Sequence, residues 1–136
     1  MTIKQLTVFL ENRTGRINEV AKILGAAGIN MKAFSMAETA DFGLLRLVVS
    51  EVDKAVQVLR DASFAVRLTD VVCINAANVP GALSTILESL AANDIFIEYM
   101  YAFSEGETAN IVIRTNDLDK CIKILNECQC TLIDEV

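Results

Sequence analysis

The sequence contains no histidine, no tryptophan and a single proline among its 136 residues. Without histidine there can be no Ser-His-Asp triad, no imidazole base and no histidine metal ligand. A P-loop and a dinucleotide-binding fingerprint are also missing from the sequence. These absences predict a protein that is not an enzyme and that binds no cofactor.

Basic residues are scarce as well, since 12 Lys and Arg stand against 18 Asp and Glu and the net charge is −6. Because phosphate contacts need clustered basic side chains, we expect no nucleic-acid binding. No apolar run approaches the roughly 18 residues of a membrane-spanning helix. The apolar stretch at residues 6–10 is too short for the core of a signal peptide. We therefore expect a cytoplasmic protein that does not associate with membranes.

The cysteines are few and do not form a metal-binding pattern. They are Cys73, Cys121, Cys128 and Cys130. In a cytosolic chain such residues are expected to be reduced and mostly part of the core. The pair at 128 and 130 has no histidine and no second close pair to complete a tetrahedral site, so we expect no zinc.

An internal repeat is the most informative feature that is present. Residues 12–17 align with residues 78–83, and the same offset of 66 positions aligns Leu24 with Leu90 without a gap. With 53% apolar residues, the chain can form a packed core. One fixed offset that aligns helix faces, turns and caps indicates two copies of one structural unit.

Each copy has the pattern strand, helix, strand, strand, helix, strand. In the first copy the alternation of Leu6, Val8 and Leu10 is typical of a half-buried strand. A helix face follows at spacings of three and four, and Gly28 is expected to end that helix. The predicted helix face consists of Ile17, Val20, Ala21 and Leu24.

Turn and cap residues mark the rest of each copy. Hairpin turns are predicted at residues 40–43 and 104–107, where glycine gives the backbone the freedom that tight turns need. Ser50 and Asn116 are predicted to cap the second helices, each followed by an acidic residue three positions later.

The order βαββαβ predicts an α+β fold of two tandem ferredoxin-like units, each an antiparallel sheet with its helices on one face. The predicted domains are residues 1–69 and 70–136. No Pro/Gly/Ser-rich linker separates them. We therefore expect the two units to pack side by side.

The first loop, Glu11-Asn12-Arg13-Thr14-Gly15-Arg16-Ile17, followed by Gly28-Ile29-Asn30-Met31, resembles the ACT domain. The second copy repeats the turn as Asn-Val-Pro-Gly at 78–81, so the resemblance covers nearly the whole chain. The nearest likeness is the serine-sensing regulatory domain of phosphoglycerate dehydrogenase. The resemblance implies a stand-alone regulatory protein that binds a small amino acid at the interface of two ACT units. It further implies that the ligand lies near the loops between the first strand and the first helix.

By this resemblance Asn12, Asn78 and Asn30 hold the ligand. The physical chemistry of the loops supports such a site, because a helix N-terminus attracts a carboxylate, glycine allows close approach and arginine adds charge-assisted contacts. The full set of expected ligand-binding residues is Asn12, Arg13, Gly15, Arg16, Ile17, Asn30, Asn78, Pro80, Gly81, Ala82 and Leu83.

Two unequal sites are expected, because Phe96 occupies the position that Asn30 has in the first copy. Asn30 is expected to complete the site of the 78–83 loop. Phe96 would face the 12–17 loop, where binding would be weaker or altered.

Other interpretations remain open at this point. Asn12 and Asn78 could cap helices, and Arg13 and Arg16 could simply be solvated. The whole chain could also be a protein–protein adaptor without a small ligand. The expected partners are an amino acid, a regulated enzyme or transcription-related protein, and a second copy in a homodimer, since sheet edges would be left over.

Overall fold

The computed structural model describes residues 1–39 and 41–136, with the backbone but not the side chain of Glu105. The elements follow in the order β1 (Ile3–Glu11), α1 (Arg16–Ala26), β2 (Met31–Glu38), β3 (Phe42–Val49), α2 (Val52–Asp61), β4 (Ala65–Ala77), α3 (Ala82–Ala92), β5 (Ile97–Glu105), β6 (Thr108–Thr115), α4 (Leu118–Glu127) and β7 (Thr131–Leu132).

The chain divides into two compact units. The first unit comprises Lys4–Thr69 with Val136, and the second comprises Asp70–Glu135 with Met1–Ile3. The strand order is β2-β3-β1-β4 in the first unit and β5-β6-β4-β7 in the second, with β4 running across the boundary. Each unit is thus a βαββαβ fold with a largely antiparallel sheet, which confirms the predicted fold class. The side-by-side packing of the two units stays a prediction.

Each unit has its own hydrophobic core between its sheet and its helices. Leu6, Val8 and Leu10 of β1 are buried in the first core, as their alternation predicts. Gln5 and Thr7 on the opposite face are buried as well, so β1 is not the half-buried strand that was expected. From α1, Val20 and Leu24 join that core, whereas Ile17 is 38% exposed. Ala21 is exposed as well, so the predicted helix face is correct at Val20 and Leu24 and wrong at Ile17 and Ala21.

The end of α1 is as predicted. Gly28 adopts a left-handed conformation with φ +73°, and the N–H of Ile29 donates to the carbonyl of Leu24 at 2.9 Å. The same position in the second unit is Asp94, at φ +57°, and the N–H of Ile95 donates to Leu90 at 3.0 Å. The two units therefore end this helix in the same way with different residues.

The predicted hairpin turns need correction. Phe42 and Gly43 belong to β3, where Gly43 pairs with Leu10 and Glu38, while Ala40 lies outside the described residues. In the second hairpin the strands extend to Glu105 and from Thr108, so only two residues connect them. Backbone pairing across each hairpin lengthens the strands beyond what turn-forming residue types indicate.

The predicted caps of the second helices are shifted by one residue. The N-cap of α2 is Glu51, without a side-chain cap hydrogen bond, and that of α4 is Asp117, whose side chain accepts from the N–H of Lys120 at 3.1 Å. Ser50 instead accepts from the N–H of Asn30 at 3.0 Å. Asn116 accepts from the N–H of Phe96 at 3.1 Å. These two side chains hold the start of the neighbouring strand rather than the helix.

Candidate functional site

The loops that lead into α1 and α3 have the same backbone geometry. Gly15 is the N-cap of α1 with φ 91° and ψ −7°, and Gly81 is the N-cap of α3 with φ 88° and ψ −15°. Neither helix has a side-chain cap hydrogen bond. Capping by Asn12 and Asn78, which the sequence left open, is therefore wrong, because both residues precede the N-cap by three positions. The first N–H groups of each helix have no partner within the helix.

Substitution of Gly15 or Gly81 by alanine is expected to lower the free energy of unfolding by about 1–2 kcal/mol, because a Cβ disfavours the left-handed conformation. No atom lies within 4 Å of an added Cβ at either position, so conformation alone sets the cost. Gly25 is the control, since it lies inside α1 with the same open surroundings. Gly25→Ala is expected to stabilise the protein by about 0.5–1 kcal/mol. Urea unfolding of the three alanine variants measures these free-energy changes. Equal effects at Gly15, Gly81 and Gly25 would contradict a special conformational requirement at Gly15 and Gly81.

A cavity of about 440 Å³ opens beside the first of these loops. It lies between the end of β1, the start of α1 and the end of β2. Its lining consists of Leu10, Glu11, Asn12, Arg13, Thr14, Arg16, Ile17, Met36, Ala37, Glu38 and Gly43. Four of the predicted ligand-binding residues, Asn12, Arg13, Arg16 and Ile17, are thus brought together in one cavity, whereas Gly15 supplies the turn.

Arg16 is the most constrained polar group of this cavity. Its side chain is 14% exposed, and its guanidinium carbon lies 4.3 Å from the ring centroid of the buried Phe64. Nη1 donates to Glu19 at 2.7 Å, and Nη2 lies 3.8 Å from Glu11. Nε is buried and has no hydrogen-bond partner within the described part of the chain. Arg16 is therefore not a solvated surface charge.

Arg13 differs from Arg16 in exposure. Its side chain is 62% exposed, and its Nε lies 3.3 Å from a carboxylate oxygen of Glu11. With Glu38 on the strand side, the cavity has two cationic and two anionic side chains beside a helix N-terminus. In a ligand with both a carboxylate and an ammonium, the carboxylate can contact the arginines and the helix N-terminus, and the ammonium can contact the glutamates.

The second loop has the same backbone but no charged side chains at the matching positions. Glu11, Arg13, Arg16 and Glu38 are replaced by Ala77, Val79, Ala82 and Ser104. Asn78, Pro80 and Gly81 are exposed. Leu83 lines a cavity of about 500 Å³ along α3 with Ser84, Leu87, Glu88 and Ala91.

Asn30 does not lie at the loop of its own unit. It precedes the start of β2, whereas the cavity is lined by Met36, Ala37 and Glu38 at the end of that strand. Its carbonyl accepts from the N–H of Ser50 at 3.0 Å, and Phe96 has the same contact with Asn116 at 3.2 Å. The predicted role of Asn30 at the second loop stays a prediction.

Sequence reasoning missed Glu11 and Glu38 as cavity residues. Glu11 is the first residue of the predicted loop, and its replacement by Ala77 in the second copy was a signal that sequence reasoning could have used. Glu38 is distant from the loop in sequence. It reaches the cavity because Gly43 of β3 pairs with Leu10 of β1 on one side and with Glu38 of β2 on the other. A pairing register of this kind could not be read from residue types.

Three of the four thiols are held in the protonated form by burial. Burial raises the pKa of Cys73 to about 11, and burial also raises the pKa values of Cys121 and Cys130. Among residues 1–39 and 41–136, no group of three or more His, Cys, Asp and Glu side chains could hold a metal ion. Within the same ranges, no helix has the length and apolar character required to cross a bilayer.

A family model described as ACT domain pair matches residues 1–136. The chain therefore belongs to this family of regulatory modules. No curated protein is similar enough to the chain to count as a match.

Among solved structures, protein BT0572 from Bacteroides thetaiotaomicron is 50% identical, with a TM-score of 0.93 over 98% of this chain and 92% of that one. The ligand-free regulatory subunit of aspartate kinase from Thermus thermophilus is 11% identical, with a TM-score of 0.64 over 91% and 90% of the two chains. The regulatory subunit of aspartate kinase from Thermus flavus gives 11% identity and a TM-score of 0.65 over the same shares. These two subunits share the fold.

Proposed function

We propose that the chain is a regulatory protein that binds a free amino acid in the cavity beside the β1–α1 loop of the first unit. The observation that carries the proposal is Arg16, a largely buried guanidinium that lines the cavity at the N-terminus of α1 with an unpaired Nε. Membership of the ACT domain pair family supports a regulatory role.

The carboxylate of the ligand would bind at the first N–H groups of α1, where the helix dipole and Arg16 both favour a negative charge. Its ammonium would bind Glu11 or Glu38, which lie on the strand side of the same cavity. Asn12 offers both a donor and an acceptor. A volume of about 440 Å³ suits a small molecule, and Met36 and Ile17 provide apolar contact for a side chain.

The regulated protein would be a separate chain, an enzyme or a transcription-related protein. The amino acid would act on it by stabilising the conformation of the first unit that it binds. The regulatory subunits of aspartate kinase are structural neighbours, and they support the regulatory interpretation at the level of the fold.

A thermal-shift screen of the full chain against the twenty amino acids tests the proposal. One of them is expected to raise the free energy of unfolding by about 2.7 kcal/mol at a hundred times its Kd. Asn12→Ala is expected to weaken this response, whereas the matched variant Asn78→Ala is expected to leave it unchanged. A response lost only in Asn78→Ala would place the site at the other loop. No response to any amino acid would favour the adaptor without a small ligand.

A further inference from the structure

Two cysteines flank the left-handed residue that follows α4. Cys128 is the C-cap of the helix, with φ −83° and ψ 4°, and its side chain is exposed. Gln129 follows with φ +59°, and Cys130, the next residue, is half-buried. The N–H of Cys130 donates to the carbonyl of Leu125 at 3.0 Å, so the chain turns back over the last turn of the helix.

The first unit makes the same turn without thiols. Ser63 has φ +68° after α2, and the N–H of Phe64 donates to the carbonyl of Leu59 at 3.0 Å. The flanking positions are Ala62, which is exposed, and Phe64, which is buried in the first core. The turn therefore needs no cysteine at either position, and packing does not account for the exposed thiol of Cys128.

The two thiols are within reach of each other. Cα atoms of residues two apart lie within about 7 Å even in an extended chain, and a turn brings them closer. A disulfide usually spans Cα separations of about 4.4–6.8 Å. Burial raises the pKa of Cys130, and the nearby thiol of Cys128 raises it further. Cys73 and Cys121 are fully buried, so the pair at the end of α4 is the accessible one.

We propose that Cys128 and Cys130 form a dithiol–disulfide pair whose oxidant is a small-molecule disulfide. Cys128 reacts first, because its side chain is exposed. Its thiolate attacks one sulfur of the small disulfide, which gives a mixed disulfide and releases one small thiol. Cys130, on losing its proton, attacks the Sγ of Cys128, which closes the protein disulfide and releases the second small thiol. The two protein thiols thus lose two electrons and two protons, which reduce the small disulfide to two thiols.

The second step is favoured by proximity. Cys130 is mostly protonated, but its place two residues from Cys128 makes the step intramolecular, which offsets a small thiolate fraction. The disulfide closes a small ring that departs from the preferred geometry, and such strain makes the bond more reducible. Strained or exposed disulfides are the labile and regulatory ones. The pair lies directly before β7, so its oxidation would alter the connection from α4 to the strand that pairs with β4.

Intact-mass spectrometry of the reduced full chain, incubated with oxidised glutathione at mildly alkaline pH, tests the pair. The wild type is expected to lose two hydrogens without keeping a glutathione adduct, and a dithiol reductant is expected to reverse the change. Trypsin cleaves after Lys120 and Lys123, so the peptide of residues 124–136 holds Cys128 and Cys130 and no other cysteine. The loss of two hydrogens is expected in this peptide.

Two single variants separate the roles of the thiols. Cys130→Ala is expected to keep one glutathione on Cys128, because no second thiol displaces it. Cys128→Ala, which copies Ala62 of the first unit, is expected to react at least about tenfold more slowly, because the remaining thiols are buried or half-buried. Circular dichroism shows whether both variants are folded.

Several results would overturn the proposal. They are a wild type that does not react or that keeps a stable glutathione adduct, and a disulfide that joins two chains or lies outside residues 124–136. A Cys130→Ala variant that loses its glutathione as the wild type does would also overturn it, as would a Cys128→Ala variant that reacts at the wild-type rate. None of these measurements uses an amino acid, so their outcome is independent of the proposed ligand site.

Discussion

Leu90→Ala is expected to lower the free energy of unfolding by about 2–5 kcal/mol, and Leu24→Ala to lower it by a similar amount. These leucines occupy equivalent positions in α3 and α1, and each is buried in the core of its unit. Truncation removes apolar contacts and leaves a cavity that neighbouring side chains fill only in part. Calorimetry is the preferred measurement, because two units can unfold in separate steps and a single transition should not be assumed.

Leu83→Ala is the matched control, since Leu83 lies on the same helix as Leu90 but is 39% exposed. Its truncation is expected to cost less than about 1 kcal/mol, because surface substitutions away from packed regions have small effects. Equal destabilisation by Leu83→Ala and Leu90→Ala would show that α3 does not present its Leu90 face to the core.

Arg16→Gln is expected to reduce strongly the thermal stabilisation by the amino acid that the screen identifies. Glutamine keeps a polar side chain but removes the charge and the planar fork that suits a carboxylate. Hydrogen bonds to charged groups contribute about 1.5–3 kcal/mol, so the ligand Kd should rise about tenfold to a hundredfold. Isothermal titration calorimetry measures the Kd directly, and circular dichroism shows whether the variant is folded.

Two further variants separate binding from general destabilisation. Arg16→Lys keeps the positive charge but lacks the planar guanidinium. It is therefore expected to bind the amino acid more weakly than the wild type but more tightly than Arg16→Gln. Arg60→Gln removes an exposed arginine of α2 that donates to the carbonyl of Val66 at 3.3 Å. This control is expected to bind like the wild type. Unchanged affinity in Arg16→Gln would remove Arg16 from the site.

The sequence predicted most of the fold because periodicity is a local property. Alternation at Leu6, Val8 and Leu10 and helical spacing at Val20 and Leu24 correspond to buried faces in the structure. The predicted caps were wrong by one residue, because Ser50 and Asn116 bond the starts of neighbouring strands about 20 positions earlier in the chain. Residue type alone does not distinguish a helix cap from such a distant contact.

The candidate site was only partly predictable. The loop residues Asn12, Arg13, Arg16 and Ile17 were indicated by the motif and line the cavity. Burial of Arg16 against Phe64 was not predicted, since the two residues are 48 positions apart and meet through packing. The open alternative that Arg16 is simply solvated is wrong for this reason, because tertiary contacts decide the exposure of a long charged side chain.

By itself, the sequence determined the two copies, their order of elements and the glycine at position 28 that ends α1. All of these depend on residues close together in the chain. Only the tertiary structure decided that the charged groups of the first copy share a cavity and that β2 leaves Phe34 and Met36 exposed at an edge. The physical reason is that strand register and packing bring distant residues together, and local patterns do not encode those distances.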